Sequence, residues 1–214
     1  AGAGSNPDPM NFPSMHVAAD AFGAFGKRFG TLRAELVRDA GGLRLSSFTT
    51  TSRSFSSKGS GSWLNTPSGQ QSALEFALES SDVLETLKDL GYGASLSGKK
   101  GAARANLTWP GAPDSGLFGR LSGSAHIEVA NGQLLTLQPG AGRVFGLMSV
   151  GALPRRLLLD FSDLTDKGLA FDAIRGDFRL QEGNAFTTNL LLKGPAAEIG
   201  IVGRTGLASH DYDQ

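Results

Sequence analysis

The residue types best able to move a proton or hold a cation here are His16, His126 and His210, and the acidic string Asp160, Asp163 and Asp166. The histidines are far apart and set among strand-like residues, without a nearby carboxylate or serine motif that would make one of them a general base or a metal ligand. His126 and Glu128 alternate with Ile127 and Val129, which turns the polar pair to water. The three aspartates have a spacing that suits an oxygen-ligand cation site, yet the glycine turn and terminal glutamate of a calcium loop are missing. Capping of a turn by Asp163 or Ser162, with Asp160 pairing Arg155 or Arg156, accounts for them. Ser209, His210 and Asp211 are adjacent, whereas triad members converge from separate elements. GSGS at 59–62 lacks the Lys-Ser/Thr of a phosphate loop, and no G-x-S-x-G elbow occurs. The phenylalanines alternate without basic clusters, which does not make a base-stacking platform. The expectation is a non-enzyme with no catalytic residue, metal, cofactor or nucleic-acid partner.

The elements that carry these residues read mostly as strands. The 214 residues have a formal charge of zero, and so no electrostatic pull toward nucleic acid or anionic headgroups. Cysteine is absent, which rules out disulfide staples and thiolate metal sites. No run of about 18 apolar residues is present to span a membrane or serve as a signal peptide. The chain does not begin with Met and reads as a piece of a longer protein whose anchor lies elsewhere. Its 30 glycines are spread over turn positions, the pattern of many short strands joined by tight turns.

Residues 1–12 read as an irregular lead-in and 13–214 as one β-rich unit. Met15, Val17, Ala19 and Ala21 are set against His16, Ala18 and Asp20, and a glycine-bearing turn within 23–30 returns the chain to Leu32, Ala34 and Leu36. The Ser/Thr-rich stretch 42–66 still carries Leu43, Leu45, Phe48, Phe55 and Trp63, which predicts two strands. Leu74, Phe76 and Leu78 alternate with Glu75 and Glu79 as a half-buried strand. Asp82 and Glu85 then form a capping-box pattern ahead of Val83, Leu84, Leu87 and Leu90, with Gly91 as the stop, which predicts a short helix. Further strands are expected at roughly 101–109, 117–129, 132–138, 156–161, 168–172, 174–181, 185–193, 196–203 and 205–212, with QEGN as a hairpin turn at Gly183 and Asn184. A second short helix is expected at 144–153, where Val144, Phe145, Leu147, Met148, Val150 and Leu153 wrap most of the way round. About a dozen strands at about 4.8 Å make roughly 60 Å of sheet, which must curl, close or fold over to hide its apolar face. Alternation alone does not separate an open groove from a closed sandwich.

PGAGR (139–143), LPRRLLLDFSDL (153–164), KGLAFDAIRGDF (167–178), GPAAEI (194–199) and GRTGL (203–207) stand in an order and spacing that resembles the late part of the YhdP family, the large AsmA-like proteins of Gram-negative envelopes. Upstream, residues 12–36, DVLETLKDLGY and ANLTWPG are similar to a family strand pair and a family helix followed by a strand. The resemblance implies a mainly β fold, a long curled antiparallel sheet forming an open apolar groove, with two short helices. It also implies a segment of a periplasmic bridge-like protein that carries phospholipid between inner and outer membranes, supports the outer-membrane permeability barrier, and belongs to a longer protein anchored in the inner membrane. Acyl chains would then touch Val144, Phe145, Leu147, Met148, Leu157, Leu159, Phe161, Leu169, Phe171, Ile174 and Phe178. The other reading is a scaffolding module of the envelope, whose apolar face is a closed core and whose partners are other envelope proteins.

Overall fold

A computed structural model of the chain describes residues 7–135, 168–209 and 211–213. The expected elements at 144–153 and 156–161 lie outside them. Among the described residues eleven strands run in sequence order as a single antiparallel meander: β1 (Met15–Ala24), β2 (Lys27–Asp39), β3 (Gly42–Thr51), β4 (Phe55–Thr66), β5 (Gly69–Ser80), β6 (Leu96–Pro110), β7 (Ser122–Leu134), β8 (Leu169–Gln181), β9 (Asn184–Lys193), β10 (Glu198–Gly206) and the two-residue β11 (Tyr212–Asp213). Among the described residues β1 and β11 are its edges and do not pair with each other, so the sheet is open. Between β5 and β6 lies helix α1 (Val83–Asp89), with single 3-10 turns at Pro9–Asn11 and Leu117–Gly119.

Helix α1 forms where the capping pattern places it. The Asp82 side chain accepts a hydrogen bond from the Glu85 amide at 3.1 Å, and Gly91 leaves the helix at φ +73°. Val83 then docks on the sheet over Gly98 and Gly101, where a Cβ at Gly98 would come within 3.1 Å of it. Removing the cap with Asp82→Ala is expected to cost about 1 kcal/mol in urea denaturation.

Curvature comes from places where two consecutive residues face outward. Ser46 and Ser47 do so at the β3 bulge, and Asp20 and Ala21 in β1, so Ala21 is exposed instead of continuing the inward series of Met15, Val17 and Ala19. Across β6, β7 and β8 the irregularity is shared, because the ladders skip the row of Lys99, Asn131 and Asp172 while the register on either side is unchanged. The inward face therefore changes parity in three neighbouring strands at once. This is why β7 and β8 are each one strand, where the sequence suggests breaks near 130 and 173. Residues 117–121, 207–209 and 211 also differ from expectation, being connections and not strand, and the β8–β9 turn has its positive φ at Glu182 and Gly183, not at Asn184. A Cβ on Gly183 would lie 2.7 Å from the Gly119 backbone, so the position needs glycine for space as well as for φ.

The resulting curl brings opposite strand ends together. Phe25, in the β1–β2 turn, meets Phe118, in the β6–β7 connection, with ring centroids 5.8 Å apart. In a flat sheet these positions would be separated by a strand length of roughly 40 Å.

Candidate functional site

One face of the curled sheet collects the apolar side chains. Across β6–β9 its rows run Gly101, Val129, Ile174, Leu192 and Ala105, Ala125, Phe178. Gly176 sits beneath Leu190, whose side chain would be 2.8 Å from a Cβ there. Trp109, Leu117, Leu121, Val129, Phe171, Ile174, Phe178, Leu180, Leu190 and Leu192 form one buried cluster, with Leu74, Leu107, Ile127, Leu169, Ile199 and Ile201 packed round its margin.

Four of the eleven expected contact residues are described, and the structure brings all four into this cluster. Phe171 and Ile174 are 3% and 2% exposed, Phe178 is buried, and Leu169 lies half-buried at the margin. Val144, Phe145, Leu147, Met148, Leu157, Leu159 and Phe161 lie outside the described residues. Sequence reading missed the β9 and β10 contributors, Leu190, Leu192, Ile199 and Ile201. Thr188 and Asn189 both face outward at a register shift, which breaks the alternation of β9 just before its leucine run. The signal available was the run Leu190–Leu192 followed by the Ile199/Ile201 pair.

The opposite face is polar. His126 Nδ1 lies 2.7 Å from the Asp177 carboxylate, and Asn189 Nδ2 donates to the same group at 2.7 Å. His126 thus does have a carboxylate beside it, supplied across the β7–β8 ladder from 51 residues away. First the histidine and then the amide hold Asp177 below its ordinary carboxylate range. Among the described residues no hydroxyl hydrogen-bonds His126. Glu128 accepts from Arg175 Nε at 3.0 Å, and Arg179 lies over the Phe186 ring. A depression of about 880 Å³ lined by Thr51, Ser56, Glu79, Lys100 and Glu128 is on this polar side, away from the apolar cluster. Among the described residues no three His, Asp or Glu side chains converge as a metal site, and no helix is long and apolar enough to cross a membrane.

At the C-terminal edge, Asp211 binds Arg204 Nη2 at 3.1 Å and also accepts from Ser209. The Arg204 hydrogen bond, then that of Ser209, takes its pKa from 3.8 to about 2. Because the folded value is depressed, this contribution to stability is present above the unfolded value and is lost as pH falls through the folded one. The Arg204–Asp213 and Thr205–Tyr212 pairing of β11 is therefore expected to loosen between about pH 4 and pH 2, read by amide exchange of residues 204–213.

The family profile described as YhdP protein matches residues 2–214. The chain belongs to the YhdP family. Over 217 aligned residues it is 24% identical to the intermembrane phospholipid transporter YhdP of Escherichia coli (strain K12), an alignment that takes in 98% of this chain and 17% of that protein. The chain thus spans about a sixth of the length of this curated relative. No solved structure matches it.

Proposed function

We propose that this YhdP-family chain is a segment of a periplasmic bridge that carries phospholipid between the inner and outer membranes, supporting the outer-membrane permeability barrier, with acyl chains running along the apolar face of the open sheet. The reading is carried by the gathering of apolar side chains on one face of a sheet whose edges do not meet, in a chain of this family. Exposing a lipid tail to water costs about 0.8 kcal/mol per methylene, on the order of 12 kcal/mol for sixteen carbons. A continuous apolar lining lowers that barrier without ATP chemistry in this segment. Tight pockets would trap a molecule that has to slide, so the lining needs no sharp recognition motif. Leu169, Phe171, Ile174 and Phe178 supply part of it, and Val144, Phe145, Leu147, Met148, Leu157, Leu159 and Phe161 are assigned to the same lining.

The depth of burial of Leu190 and Leu192, 2% and 1% exposed, favours the other reading, a scaffold with a closed core that binds envelope proteins. Native mass spectrometry after purification from membranes separates the two. Phospholipid bound to the folded chain, released by organic extraction, is the expected result, and a lipid-free spectrum under the same conditions supports the scaffold.

A further inference from the structure

The turn between β1 and β2 places an aromatic ring where turn chemistry disfavours one. Ala24 pairs with Lys27, which leaves Phe25 and Gly26 as a two-residue loop with φ of 54° and 72°. Asn or Gly is the usual first residue of such a turn, and a bulky side chain in this left-handed region is strained. Burial does not compensate the strain, since Phe25 is 50% exposed. Its ring meets Phe118 at an interplanar angle of 79°, and Phe118 is itself 37% exposed.

The two sides of this contact are held very differently. Just past the turn, Lys27 Nζ donates to the Leu90 carbonyl at 2.6 Å and stands 4.2 Å from the centre of the Tyr92 ring. Arg28 Nη2 pairs with Asp89 at 3.2 Å. The strand end next to the loop is therefore tied to the end of α1, while an exposed ring pair joins the loop itself to the far side of the curl. Phe118 follows directly on Leu117, a member of the buried apolar cluster.

We propose that Phe25 and Phe118 form an entry site for a phospholipid acyl chain, closed by their ring-to-ring contact and opened when the Phe25 ring swings away from Phe118 while Lys27 and Arg28 hold the strand end in place. The inference rests on the phospholipid-carrying reading and adds a lateral entrance to it. The aromatic pair favours closure, both rings are exposed to solvent, and an acyl chain can replace one ring against the other.

The test uses chain loaded with tail-labelled phosphatidylglycerol and mixed with unlabelled vesicles of phosphatidylethanolamine and phosphatidylglycerol. Phe25→Asn installs the favoured Asn-Gly turn and removes the ring. It is expected to hold or raise the melting temperature while speeding tail exchange about two- to tenfold, the size an aromatic pair supports. A merely structural ring would lower the melting temperature and leave exchange unchanged. In the second arm, Phe25→Cys with Phe118→Cys, in a chain that otherwise lacks cysteine, is joined by a disulfide-containing bis-maleimide. Exchange should slow about tenfold or more and recover when the linker is reduced. Wild-type exchange in the Asn variant, or equal rates with and without the crosslink, overturns the entry site and leaves lipid carriage standing. A chain that takes up no labelled lipid, crosslinked or not, overturns lipid carriage and the entry site with it.

Discussion

Truncation of Phe171 to alanine is expected to lower the free energy of unfolding by about 3–5 kcal/mol, as for a phenylalanine removed from a packed interior. The ring is 3% exposed and lies on the backbone of Gly132, where an added Cβ would come within 2.6 Å of it. The parity change across Lys99, Asn131 and Asp172 is what turns Phe171 to the same side as Ile174, so the neighbouring strands cannot readily collapse into the vacated space. Leu169→Ala, two residues away at the half-buried margin, should cost far less. Urea denaturation of both variants gives the comparison. A loss below about 1 kcal/mol for Phe171→Ala would mean that the ring is not held as the cluster implies.

The largest functional effect is expected from Ile127→Asp. Ile127 is half-buried on the apolar face, packed against the cluster, and pairs across the ladder with Ala103 and Gly176. A carboxylate there faces a choice between an unpaired charge in an apolar surround, costing several kcal/mol, and a water shell that interrupts the path of a lipid tail. Phospholipid uptake should fall about tenfold or more even where the variant folds, since excluding one to two methylenes accounts for that factor. His126→Gln, one residue along the same strand, should leave uptake unchanged because its side chain is on the Asp177 face. Uptake of tail-labelled phospholipid, with circular dichroism to confirm folding, reads both. Equal losses at 126 and 127 would contradict the division of labour between the faces.

Much of this arrangement is legible in the residues themselves. The Leu74, Phe76, Leu78 alternation of β5 and the Asp82 cap with its Gly91 stop depend on local chemistry, and local chemistry decides them. Asn131 and Gly132 show the limit of that reasoning. Asn-Gly is the strongest short turn signal, so the sequence suggests a break in β7, yet Asn131 spends its positive φ of 52° on an irregularity inside a continuous strand. Whether such a dipeptide turns the chain or only shifts its facing depends on the neighbours, here Lys99 and Asp172, and no short window contains both. The same non-locality hides the His126–Asp177 pair, whose members meet only once β7 and β8 are in register. Phe25 is hidden for the opposite reason, since a bulky residue is a poor candidate for the first position of a tight turn.

The most direct test of lipid carriage on one face of the sheet is a photo-crosslinking scan along β7. A photoreactive residue placed in turn at positions 124 to 130 is irradiated with a tail-labelled phospholipid, and the adducts are quantified by mass spectrometry. The apolar face carries Ala125, Ile127 and Val129, and the polar face carries Ser124, His126 and Glu128. Adducts at 125, 127 and 129 with little or none at 124, 126 and 128 are the predicted result; uniform labelling, or none at any position in well-folded protein, would contradict it.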